Sequence, residues 1–206
     1  MKRYIFATNN KHKLEEVRAA LGDEVAVVSL AEVGLAGDIP ETADTLQGNA
    51  LQKAEWVHGR IGGINADGVF ADDTGLEVAC LGGAPGVYSA RYAGEHCSFD
   101  DNINKMLREM DGQTNRRACF RTVICLLEHT EGQAAPKPRY FEGRVDGTIL
   151  TERFGSEGFG YDPIFMPDRF AVSFAEMPLE VKNRISHRSR AVAKLVDYLR
   201  QANGEQ

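Results

Sequence analysis

The sequence predicts an α/β protein: a mixed β-sheet with flanking helices. Three observations carry this. Short apolar runs alternate along the chain with segments whose apolar residues recur at helical spacing. Two longer strand candidates, 118–129 and 139–147, follow one another with no helical pattern between them, so hairpin pairing accompanies the crossovers and the sheet is mixed. The 206 residues contain no repeat, low-complexity tract or evident linker, which suits a single domain over 1–206.

The elements follow in order. "RYIFA" (3–7) is a short apolar run and reads as a buried strand. The polar stretch "TNNKHK" leads into "LEEVRAAL" (14–21), where Leu14, Val17 and Leu21 share one helical face. "EVAVVSL" (24–30) reads as the next strand, and 31–45, with Gly34, Gly37 and Pro40, as a loop. "NALQKAEWVHGRI" (49–61) is helical, with Asp44 a candidate cap, and "GGINADG" (62–68) is a turn. "GVFA" and "LEVACL" are strands on either side of Asp72 and Asp73, and the Gly-rich 82–94 is a loop. Ser98 is placed to cap a helix whose Ile103, Met106, Leu107 and Met110 form one face. After the strand pair comes the turn-rich "GSEGFGYDP" (155–163). Ser186 then caps a closing helix with Ala191, Leu195, Val196 and Leu199 as its buried stripe.

Composition narrows the function classes. Apolar residues at 43% and charged residues at 26% are ordinary for a soluble globular chain. A net charge of -6 without a basic stripe argues against nucleic-acid binding, so an anionic ligand must be held by a few placed cations or a metal. The four cysteines include no CxxC pair, which suggests neither a zinc site nor a redox dithiol. No run is long enough to span a bilayer and the start does not read as a signal peptide. The expected compartment is a reducing cytoplasm.

Several residues stand out chemically. "TNNKHK" joins a strand to a helix start, where backbone N–H groups and the positive helix end suit a phosphate, with Lys11, His12 and Lys13 as local cations. Taken in isolation, an Asn-capped helix with solvated lysines reads the same residues more simply. Asp72 and Asp73 form either the acids of an Asp-Thr-Gly turn or a metal or general-base site. With Glu41 they would make a hard-oxygen donor set suited to Mg²⁺. The Walker pattern, GxGxxG, GxSxG and HExxH are all absent. In "GFGYDPIF", glycines flank Phe159 and Tyr161, which read as stacking faces or as anchors of a tight turn. Lys182, His187 and Arg188 gather at the start of the last helix, either as a solvated face or, because cations there oppose the helix dipole, as a hint of an anionic or carbonyl-bearing ligand.

Taken together, "FATNNKHKLEEV", "ADDTGLEVACLGGAPGVYSARYAG", "GFGYDPIF" and "KNRISHRSRA" resemble the inosine/xanthosine triphosphate pyrophosphatase family, over about residues 3–200. The resemblance implies Mg²⁺-dependent hydrolysis of non-standard purine nucleoside triphosphates (ITP, dITP, XTP) to the monophosphate and pyrophosphate. It implies an elongated fold of two lobes with the active site in the cleft between them, and a homodimer. Thr8, Asn9, Asn10 and Lys13 match the triphosphate loop, and Lys53 a phosphate-holding lysine. Glu41 matches a metal ligand, Asp73 the metal-binding general base and Thr74 a substrate contact, with Asp72 as possible support for the metal. Phe159, Gly160, Tyr161 and Asp162 match the base-binding loop, and Lys182, His187 and Arg188 the groups that read the purine. Asn9 stands where many relatives have Gly, Thr74 where Ser is commoner, and Gly48 where many carry Glu. The alternatives are a nucleotide-binding sensor without turnover, or a pyrophosphatase for a different modified nucleotide.

Overall fold

A computed structural model describes residues 1–22, 25–62, 64–129 and 136–204. Among the described residues there are seven strands: β1 (Arg3–Phe6), β2 (Ala26–Val28), β3 (Gly68–Val78), β4 (Pro85–Gly86), β5 (Arg117–Glu128), β6 (Arg139–Ile149) and β7 (Phe165–Pro167). The same described residues form the α-helices α1 (Lys11–Leu21), α2 (Leu46–His58), α3 (Phe99–Glu109), α4 (Leu179–Ile185) and α5 (His187–Gly204). The sheet has the order β2-β1-β3-β5-β6-β7, with β4 paired to β3. β1 lies parallel to β2 and β3, whereas β3–β4 and β6–β7 are antiparallel. The sheet is therefore mixed, as the alternation of crossovers and hairpins predicts.

The chain divides into two compact units. The first comprises residues 1–73, 122–143 and 189–206, and the second 74–121 and 144–188. In the first unit the strand period of two sorts side chains onto opposite faces. Tyr4, Phe6, Phe70, Ile124 and Leu126 pack with Val17 and Leu21 of α1 and with Ala191, Leu195, Val196 and Leu199 of α5. Ile5, Ala7, Val69, Ala71, Cys125 and Leu127 pack with Ala50, Ala54 and Val57 of α2. The second unit has its own core, in which Ile103, Met106 and Met110 meet Leu76, Val78, Phe120, Phe165 and Phe174.

Several local readings are corrected. β3 runs unbroken through Asp72-Asp73-Thr74-Gly75, so no turn separates two strands there. Its apolar continuation ends at Val78, and Ala79–Leu81 form a 3-10 turn. α2 begins at Leu46, and its cap is Thr45, whose side chain accepts from Gly48 N–H, rather than Asp44. The strand expected over 24–30 is observed over Ala26–Val28, and Glu24 lies outside the described residues, as does Gly63 of the expected 62–68 turn. Ser98 does cap α3, reciprocated by Asp101 in a capping box. The short α4 and β7 have no counterpart in the sequence reading.

Candidate active-site residues

Two side-chain clusters, one in each unit, gather the candidates. The first grows from β3. Phe70 faces the α1 side of the strand, so two residues on Asp72 does too. Val69 and Ala71 face α2, so Asp73 does as well. Each carboxylate meets a lysine from the helix on its own side. Lys13 Nζ donates to Asp72 Oδ1 at 3.0 Å, and Asp72 is 1% exposed. Lys53 Nζ lies 3.3 Å from Asp73 Oδ1 and 2.6 Å from Glu41 Oε1. A buried carboxylate without such a partner would be driven to its neutral form.

Burial pushes the Asp73 carboxyl up from the usual range, and nearby Glu41 adds to this while Lys53, Lys13 and the Asn49 amide oppose it. Burial also works against the charge of Lys53. Asp73, Glu41 and Asp72 together outweigh it and hold the ammonium protonated. Glu41 Oε1 and Asp73 Oδ1 thus converge on one cation already. Two hard carboxylate oxygens meeting at a positive charge suit Mg²⁺, which takes one or two carboxylates and completes its shell with water and substrate phosphate. Among the described residues no three His, Cys, Asp or Glu side chains form a group that could hold a metal ion, so the three-acid set of Glu41, Asp72 and Asp73 expected from the sequence is not formed.

The loop before α1 is ordered by its own side chains. Asn10 caps the helix by accepting from Lys13 N–H, Thr8 Oγ1 accepts from Asn10 N–H at 3.1 Å, and Asn9 Nδ2 donates to Gly37 O at 3.1 Å. The Asn-capped start of α1 is thus observed as the sequence suggests. Lys11 and His12 are exposed on the first turn, and Thr74 is half-buried on β3.

The second cluster centres on Asp162. Its Oδ2 accepts from Phe159 N–H at 2.8 Å and from Lys182 Nζ at 2.7 Å, with both charged side chains buried. Gly158 has a φ of +80°, and a Cβ there would stand 2.2 Å from Asp162 Oδ2, so only glycine admits this carboxylate under the turn. Tyr161 is buried and donates to Ser89 O at 2.9 Å, which makes it the anchor of the loop. Phe159 is half-buried, and the Lys182 ammonium and the Arg188 guanidinium lie 5.0 and 5.6 Å from its ring centre. His187 is buried and stacked on Phe120, with ring centres 4.7 Å apart. Gly160, at φ +63°, completes the turn.

The profile of the Ham1 family matches residues 4–198. The chain belongs to the Ham1 family. A Ham1 relative in Porphyromonas gingivalis, named dITP/XTP pyrophosphatase, is 54% identical over 200 residues, which is 97% of this chain and 98% of that one. A protein of the same name in Flavobacterium johnsoniae is 48% identical, over 96% of this chain and 97% of its own length. The structure of a HAM1 protein from Coxiella burnetii superposes with a TM-score of 0.88 at 35% identity, covering 98% of this chain and all of that one.

One participant is absent from the sequence reading. Asn49 is fully buried and touches Asp73 directly. Its signal was its spacing: four residues before Lys53 on a helix, it shares the lysine's face.

Proposed function

We propose that this Ham1 chain hydrolyses ITP, dITP and XTP to the nucleoside monophosphate and pyrophosphate. The observation that carries the reading is the buried Asp73 carboxylate, held by Lys53 and an amide beside Glu41. Such a group has the fixed geometry and raised basicity that a general base requires. The names of its full-length relatives point to the same chemistry.

Asp73 and Glu41 would hold Mg²⁺, which when bound supplies charge neutralisation for the triphosphate and lowers the pKa of a coordinated water. Lys13 and Lys53 neutralise phosphate charge, and the Thr8–Asn10 loop presents the start of α1 to the phosphates. Asp73 takes the proton from a water whose oxygen forms the new bond to the α-phosphorus. The α–β bridging P–O bond breaks, and pyrophosphate leaves with the electron pair. Phe159 offers a ring face to the purine, while Lys182, His187 and Arg188 offer donors to a 6-carbonyl. Adenine presents an amino donor at that position, and a site built to donate can reject it by about 10⁴ or more.

A cytoplasmic location is part of this proposal. Assembly as a homodimer belongs to the same proposal, and light scattering on the purified chain checks it.

The test is turnover of ITP with Mg²⁺ in ¹⁸O-labelled water. The expected products are IMP, carrying the label, and unlabelled pyrophosphate, and Asp73→Asn lowers kcat by about 10²–10⁴. IDP with inorganic phosphate, or an Asp73→Asn variant with undiminished kcat, would contradict the reading.

A further inference from the structure

The loop that carries Glu41 is fastened to α2 by residues of one helical face. Asn49, Gln52 and Lys53 are spaced i, i+3, i+4. Gln52 accepts from Thr42 N–H at 2.9 Å and donates to Thr42 Oγ1 at 2.8 Å. Asn49 Oδ1 accepts from Ala43 N–H at 2.9 Å, and Asn49 Nδ2 donates to Asp73 Oδ2 at 3.0 Å. The orientation of the amide is not arbitrary. A backbone N–H can only donate, so the amide oxygen must face Ala43 and the NH₂ must face the carboxylate.

Residue 48 makes this closeness possible. A Cβ on Gly48 would stand 2.7 Å from Ala43 Cβ, so the loop approaches the helix as it does because no side chain intervenes.

Asn49 therefore bonds the Asp73 carboxylate itself and, two residues past Glu41, the backbone of the loop that carries that acid. Gln52 fastens the loop but, by its bonds, reaches only Thr42. We propose that Asn49 is a positioning residue for hydrolysis: it occupies Asp73 Oδ2, so that Oδ1 is the oxygen kept on the edge shared with Lys53 and Glu41. This rests on the hydrolase reading above. A carboxylate held only by a lysine can rotate about its Cβ–Cγ bond and exchange its oxygens. A catalytic group has to be held within roughly 0.5 Å and 10–20° of its working geometry. The neutral amide fixes the plane and adds no charge that would compete with Lys53 or with a metal.

The experiment compares wild type, Asn49→Ala, Asn49→Ser and Gln52→Ala as full-length proteins. It measures kcat and KM for ITP, thermal midpoint, and Mn²⁺ binding to the nucleotide-free protein by electron paramagnetic resonance. Asn49→Ala is expected to lower kcat, and to weaken Mn²⁺ binding, by about 10–100-fold. KM for ITP stays within about threefold, because uniform substrate binding is untouched. Asn49→Ser, which keeps a small donor, falls between Asn49→Ala and wild type and carries the comparison should the alanine variant not fold. Gln52→Ala loses less than either. The proposal is overturned by a folded Asn49→Ala with kcat and Mn²⁺ affinity like wild type, or by Gln52→Ala losing as much, since the loop tether would then be the whole effect. A wild-type protein that releases no pyrophosphate contradicts the hydrolase reading instead, and the Mn²⁺ comparison still decides the role of Asn49.

Discussion

Adjacent acids on a strand point to opposite faces, and here each face offers its own lysine: Lys13 for Asp72, Lys53 for Asp73. The two carboxylates are thus tied to different helices, although only one bond of backbone separates their residues. An exposed acid behaves differently. The Ser29 hydroxyl, the Ser29 N–H and the Arg18 guanidinium hold the Glu32 carboxyl down at about 2. A depressed carboxyl pKa gives stability that is present above the unfolded value of about 4.5 and is lost as pH falls through about 2. Half-exposed side chains keep such a contribution to about 0.2–1 kcal/mol. Glu32→Gln should therefore lower the thermal midpoint at pH 7 by no more than about 4 °C, and the gap should close as the pH is taken down through that window. A gap that stays constant with pH would contradict the assignment.

At the scale of elements, α2 shows where local rules and tertiary packing disagree. Helical propensity puts the helix start after Gly48, because glycine costs about 1 kcal/mol there relative to alanine. The structure begins the helix at Leu46 under the Thr45 cap, and the glycine is retained where Ala43 leaves no room for a Cβ. Gly48→Ala should therefore gain nothing in thermal midpoint, because the displaced 41–45 loop offsets the propensity term, and it should need more Mg²⁺ for half-maximal activity. A gain of about 2–4 °C, the propensity term alone, would show that the loop yields freely. The same tension explains the turn expected at Asp72–Thr74. Asp, Thr and Gly favour turns when their charges face water, but paired lysines let β3 continue. The apolar stripes of α3 and α5 were legible because periodicity reports burial directly. α4 and β7 are too short to show a period, and only contacts distant in sequence define them.

For the molecule as a whole, motifs singled out the candidate residues, but the pairings the structure makes among them were not legible. Asp162, Phe159 and Lys182 stand together in the second unit because one carboxylate oxygen accepts from both a backbone N–H and an ammonium, a relation across 20 residues that no spacing rule announces. Tyr161 reads in sequence as a stacking face or as the anchor of a tight turn, and the structure decides for the anchor: its ring is core and its hydroxyl donates to Ser89 O. Asn49 drew no notice because a buried amide in a helix carries no motif of its own. We propose that the chain prefers ITP, dITP and XTP over the standard triphosphates, with a metal held by Glu41 and Asp73. This preference is tested most directly by pyrophosphate release from ITP, XTP, dITP, GTP, ATP and dUTP, each with Mg²⁺ and with EDTA. Release from ITP, XTP and dITP that EDTA abolishes, with little from the others, is the predicted result. Equal release from ATP and ITP, or release that persists in EDTA, would contradict it.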